Sequence, residues 1–141
     1  MTLRKSLAAA LALGLLLGAM TPALAGKKKS GSFTASGLPY PHPTDGCLGS
    51  TEGVNKTTQP LKTPLAGTLT VTMDGFDGDW DLFVTDADGG EIISSTSSQL
   101  TGDPPVEEVV FSVTKGLQLQ LVACNFGGGP GAEVKWTLVG K

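Results

Sequence analysis

From residue 67 onward, apolar and polar residues alternate one for one. In Thr68-Leu69-Thr70-Val71-Thr72-Met73, the apolar side chains fall on one side of an extended chain and the threonines on the other. Strand side chains point to opposite faces with a period of two, so this pattern specifies a half-buried strand. Trp80, Leu82 and Val84 repeat it, with Asp79, Asp81 and Thr85 opposite. So do Val109, Phe111 and Val113; Leu117, Leu119, Leu121 and Ala123; and Val134, Trp136 and Leu138. Residues 91–95 read as a short strand after the Gly89-Gly90 turn. Gly, Pro and Asp punctuate the segments, and nothing beyond residue 25 shows helical periodicity. The expected fold is all-β, a β-sandwich or jelly-roll-like arrangement of six to eight antiparallel strands.

The first 25 residues read differently. Arg4 and Lys5 precede an apolar run, and Ala23-Leu24-Ala25 has the small residues that a signal peptidase recognises. This is the pattern of a secretory signal peptide, with cleavage expected after Ala25. The run is short for a membrane span, which needs about 20 apolar residues. Residues 26–46, with Lys27-Lys28-Lys29, Ser30-Gly31-Ser32 and Pro39, Pro41 and Pro43, are expected to be a flexible linker. The sandwich domain is expected over 47–141, with a short edge strand near 54–58. Export would expose Cys47 and Cys124 to an oxidising compartment, so a single disulfide is expected between them. Its long loop implies roughly 4 to 5 kcal/mol of stabilisation. Cys124 has the opposite parity from Leu117, Leu119 and Leu121. A regular strand puts its sulfur on the outer face, whereas a bulge near Ala123 would turn it inward.

Charge narrows the partners. Removing Arg4 and Lys5 from the 10 basic residues leaves 8 against 13 acidic ones, a net charge of −5. That balance argues against nucleic acid, whose binding is driven by basic surfaces. The acidic residues concentrate in 74–88, where Asp74, Asp77, Asp79, Asp81, Asp86 and Asp88 occur with no Lys or Arg. Calcium is bound by six to eight oxygens, largely carboxylates and carbonyls. Asp74, Asp77, Asp79, Asp81 and Asp88 are therefore candidate calcium ligands. The Asp77-x-Asp79-x-Asp81 spacing opens like an EF-hand loop, but Leu82 stands where that loop needs Gly. The competing role is structural: Asp residues cap turns and keep strand edges solvated.

Enzyme chemistry finds little support. His42 is the only histidine and lies between Pro41 and Pro43, where no second residue is placed to orient it. Oxidised cysteines offer no thiolate. No catalytic residue is assigned. Three aromatics, Phe76, Phe83 and Phe126, fall in loops or on the Asp face, and would form a ligand platform if exposed together. Trp80 and Trp136 share the apolar parity of their strands and are expected in the core. Residues 125–131 are expected to form a glycine-rich loop.

The order of motifs resembles the bacterial pre-peptidase C-terminal domain. The resemblance rests on the alternating strand 69–73, then Asp79-Trp80-Asp81-Leu82-Phe83-Val84, and the Asp88-Gly89-Gly90 turn. Ile92-Ile93-Ser94-Ser95, Glu107-Glu108-Val109-Val110-Phe111, the Gly-initiated strand 116–122 and Trp136-Thr137-Leu138 follow in order. It covers residues 67–139. The family's Gly-initiated strand usually carries Tyr, where this chain has Leu117, Gln118 and Leu119. The resemblance implies a β-sandwich, export and a non-catalytic accessory role, with calcium or matrix polymers as ligands in some relatives. The expectation is a secreted, monomeric binding or accessory module that meets an extracellular protein or polysaccharide. A carbohydrate-binding module and a purely structural or solubilising protein are the alternatives.

Overall fold

The computed structural model describes residues 26–39, 52–95 and 105–141. Among them are eight strands: β1 (Lys28–Ser36), β2 (Lys56–Lys62), β3 (Gly67–Asp74), β4 (Asp79–Asp86), β5 (Glu91–Ser95), β6 (Glu107–Val113), β7 (Gln118–Gly127) and β8 (Gly131–Gly140). They form two four-stranded antiparallel sheets, ordered β1-β8-β3-β6 and β2-β7-β4-β5. The chain is the all-β sandwich that its alternation specifies.

The inner faces meet through the side chains that the alternation selected. Leu69, Val71 and Met73 from β3 face Trp80, Leu82 and Val84 from β4, together with Leu121 of β7 and Leu138 of β8; all are fully buried. Burying each such side chain contributes roughly 1.5–3 kcal/mol, so this seam holds the two sheets together.

The register defines two ends. At one lie the start of β1, the end of β8, the β2–β3 connection and the β6–β7 turn. At the other lie the β3–β4 and β7–β8 turns and the start of β2.

Several expectations change. The stretch expected to be a linker over 26–46 contains β1, which pairs with β8 from Lys28↔Val139 to Ser36↔Gly131. Its inward positions are Gly31, Phe33 and Ala35. Only two are apolar side chains, so the alternation is faint. Gly31 lies opposite Trp136, and a Cβ there would sit 2.8 Å from the indole Nε1. The missing side chain leaves room for the half-buried ring, an aromatic packed over an edge glycine. The short strand expected near 54–58 lies further along, at Lys56–Lys62, on the edge of its sheet. Pro60 is tolerated there because an edge strand has one side free of ladder bonds. The glycine-rich loop expected over 125–131 shrinks to three residues, because β7 continues to Gly127 and β8 begins at Gly131.

Candidate functional site

Most of the sequence's candidate residues gather at the end formed by the β3–β4 and β7–β8 turns. Gly75 and Gly78 both have positive φ, 71° and 78°. That left-handed conformation is cheap for glycine alone. The reversal tips Phe76 into the sandwich, where it is 6% exposed and its ring centroid lies 6.4 Å from that of Trp80. Trp80 Nε1 donates to the Gly129 carbonyl at 3.1 Å. Asn125 Nδ2 donates to the carbonyls of Gly37 and Gly129, both at 2.9 Å. The Gly129 N–H donates to the Asp77 carboxylate. These bonds stitch the two turns and the tail of β1 into one cap over the core.

The aspartates divide accordingly. Asp74 accepts from Lys135 Nζ at 2.7 Å, across the β3–β8 pair. The hydrogen bond to Asp74 raises the Lys135 ammonium above its usual range; desolvation opposes it, and the charges of Asp74 and then Glu133 add to it. Both partners are exposed, so water and salt screen the pair and it adds little to stability. Asp86, at the far end of β4, accepts from the N–H groups of Asp88 at 2.9 Å and Gly90 at 2.8 Å. This is turn chemistry, in which an Asp side chain bonds its own following backbone. Asp88 lies exposed in that turn, a strand length from Asp77 and Asp79.

Asp79 and Asp81 remain as a pair on the outer face of β4. Asp81 is half-buried, and its carboxyl is pushed up to about 7. Desolvation is the largest cause, followed by the charges of Asp79 and Glu107. Calcium would need further oxygens converging on this pair. Asp74 is turned to Lys135, Asp77 to Gly129 and Asp88 stands apart. Among the described residues, no three His, Cys, Asp or Glu side chains converge to hold a metal ion. The five carboxylates expected as ligands therefore do not assemble as one set.

The aromatic platform also disperses. Phe76 is in the core. Phe83 is 9% exposed and packs on the other face of its sheet, against Val122, Cys124 and the half-buried Phe126. The three rings share no exposed patch, because the positive-φ glycines turn Phe76 inward and strand parity sends Phe83 outward. Cys124 is fully buried in this outer cluster, opposite Asp81. The register irregularity lies between Asp79 and Trp80, where Gly127 and Asn125 are their partners, and not at Ala123. β7 is thus regular at Cys124, and the sulfur is on the outer face. Cys47, its expected disulfide partner, lies outside the described residues, as do His42 and the expected signal peptide.

Three residues carry more of the local chemistry than the sequence suggested. Glu107 is fully buried and accepts from Ser95 Oγ. Its parity with Val109 and Val113 already pointed it inward, but its charge hid that signal. Asn125, inside an apparent glycine-rich loop, is fully buried with its Oδ1 unpartnered. Lys135 pairs with Asp74 across strands, a contact invisible along the chain.

No family model and no curated protein matches this chain. A Paenibacillus sp. cycloisomaltooligosaccharide glucanotransferase, complexed with cycloisomaltoheptaose, is similar at 13% identity with a TM-score of 0.37, over 82% of this chain and 18% of that one. Dimeric latent PorU from Porphyromonas gingivalis is similar at 15% identity with a TM-score of 0.35, over 86% of this chain and 14% of that one. The chain thus spans less than a fifth of either protein's length.

Proposed function

We propose that this chain is an exported, non-catalytic β-sandwich module that binds or supports an extracellular partner. The observation that carries this reading is how the reactive side chains are used. Asp77, Asp86, Trp80 and Asn125 spend their hydrogen bonds on backbone groups that fix turns. A catalytic site instead needs a nucleophile or acid–base pair aimed at open space and oriented by a third group. The pre-peptidase C-terminal resemblance supports the same reading, as does the apolar run ending in Ala23-Leu24-Ala25. A disulfide from Cys124 to Cys47 would tie the segment before β2 to the outer face of β7.

The test combines export, binding and turnover. Expression behind its own leader should yield a secreted protein whose intact mass begins at Gly26 and includes one disulfide. The secreted protein should sediment with an extracellular polymer or protein partner and show no turnover on ester, peptide or glycoside panels. Turnover that disappears in Asp79→Asn or Asp81→Asn would overturn the non-catalytic reading.

A second reading is favoured by one observation: Asp79 and Asp81 repel each other on one face. A cation there would relieve that repulsion. A ligand that binds only the folded state adds about 2.7 kcal/mol at a hundredfold excess over its dissociation constant. Calcium should then raise the melting temperature in the native protein and not in Asp81→Asn; superimposable melts with calcium and with chelator would remove this reading.

A further inference from the structure

The opposite end of the sandwich carries a different chemistry. A hollow of about 1100 Å³ opens there, lined by Lys27, Lys29, Lys115 and Lys141 around an apolar wall that includes Leu65 and Val139. We propose that this hollow binds a single-chain anionic amphiphile, its carboxylate or phosphate head among the lysines and its alkyl chain along Leu65 and Val139.

Several observations converge on that occupant. Half of the eight basic residues beyond the expected cleavage site line this one hollow in a chain whose charge is otherwise acidic. Among the described residues, none of the four lysines has an ion-pair partner, whereas Lys135 at the other end is neutralised by Asp74. Lys29 continues the inward parity of Gly31, Phe33 and Ala35 on β1, opposite the fully buried Leu138. An inward-pointing lysine keeps its alkyl stem against the core and presents its ammonium at the mouth.

Both walls are fixed. Thr63 Oγ1 donates to the Thr114 carbonyl at 2.6 Å, and the Gly116 N–H donates to the Thr63 carbonyl at 2.8 Å, which holds Lys115 over the β2–β3 connection. The Gly140 N–H donates to the Lys27 carbonyl at 2.8 Å. Leu65 lies over Gly140, with its Cδ1 2.9 Å from where a Cβ would stand. The volume lies just above the range of ordinary small-molecule sites, about 300–1,000 Å³, which leaves room for an extended alkyl chain. A purely polar anion would leave the apolar wall unused. A long polyanion would also meet the acidic remainder of the chain. A short head with one alkyl tail uses both surfaces and avoids the second cost.

The inference extends the binding-module reading but does not depend on the polymer or protein partner tested there. Isothermal titration of the secreted protein with laurate, below micelle formation, should give a saturable one-site isotherm. Sodium acetate supplies the anion without the tail, and dodecyl maltoside the tail without the anion; both should bind at least about tenfold more weakly. The exposed double variant Lys29→Gln/Lys115→Gln should lose roughly tenfold in laurate affinity, as expected for two partly screened charge contacts. Val139→Asp, at an exposed position, should weaken laurate while leaving the circular dichroism spectrum and melt unchanged. Absence of a saturable laurate isotherm overturns the proposal. Equal binding by acetate overturns it in favour of a free-anion site, and equal binding by dodecyl maltoside in favour of mere apolar contact. Unchanged affinity in the lysine variant also overturns it. None of these outcomes touches the export, polymer or turnover tests.

Discussion

Replacing Asp81 by Asn should stabilise this protein at alkaline pH and leave it unchanged in acid. The Asp81 carboxyl is raised from 3.8 to about 7, chiefly by desolvation and then by Asp79 and Glu107. Between those values the folded protein holds a proton that the unfolded chain releases. Stability contributed by this site therefore falls as pH rises from about 4 to about 7, and stays low above that. At about 1.4 kcal/mol per unit, a shift of roughly three units sets an upper bound near 4 kcal/mol on the penalty. Asp81 keeps some contact with water, so screening reduces that to about 2 kcal/mol. Asparagine has nearly the same shape and carries no charge, so it removes this penalty at every pH. Urea unfolding of the native protein and of Asp81→Asn should give coincident midpoints at about pH 4 and a gain of roughly 1 M at about pH 8, for a slope of about 1.5 kcal/mol/M. A gain of equal size at both pH values would mean that packing and not ionisation is responsible. No gain at the higher pH would refute the placement of Asp81 in a desolvated, like-charged setting. Added calcium separates the remaining possibility: a cation on Asp79 and Asp81 would reverse the sign, making the Asn variant the less stable protein.

Phe76→Ala should lower stability by about 3 kcal/mol in the same unfolding assay, the cost of emptying a buried aromatic position beside Trp80. It should not alter binding to any polymer, because the ring is not presented to solvent. Gly78→Ala should destabilise by about 2 kcal/mol or more, since its φ is positive and the added Cβ would collide with the Gly127 carbonyl. A melt unchanged in Gly78→Ala would mean the β3–β4 turn adopts another conformation. Asp74→Ala removes only the exposed pair with Lys135 and should lower the melting temperature slightly at most, by an amount that shrinks further in high salt. A larger loss, measured by thermal denaturation, would assign Asp74 a role beyond that pair.

Much of the fold was legible because two-residue alternation is a local signal, and from β3 to β8 nearly every strand carries it. β1 escaped because its inner positions read Gly31, Phe33, Ala35. The partner that makes Gly31 meaningful, Trp136, lies at the other end of the chain. Lysine, serine and glycine there matched the composition of a linker, while the backbone had a complete edge of β8 to pair with. The β7–β8 turn was misread for a related reason. Glycines after Asn125 suggested a loop, but β7 keeps its ladder to Gly127, and buried Asn125 ties that turn to Gly37 and Gly129 through its side chain.

The candidate site shows what linear proximity leaves out. Six aspartates within fifteen residues looked like one chemical unit, yet a turn and an eight-residue strand distribute them over both ends of the sandwich. Asp74 finds a lysine 61 residues away, Asp77 meets a glycine amide 52 residues away, and Asp86 closes its own turn. What remains of the cluster is Asp79 and Asp81, whose common face was readable from strand parity. The desolvation of Asp81 was not, since it arises from burial that only the folded sandwich supplies. The lysines illustrate the converse. Lys27 and Lys29, read as part of a linker, lie far along the sequence from Lys115 and Lys141. Antiparallel pairing of β1 with β8, and the Thr63 bonds between the β2–β3 and β6–β7 connections, bring them to one mouth. An acidic run in sequence thus disperses and a basic mouth assembles, which is why the basic end is the better place to look for a ligand.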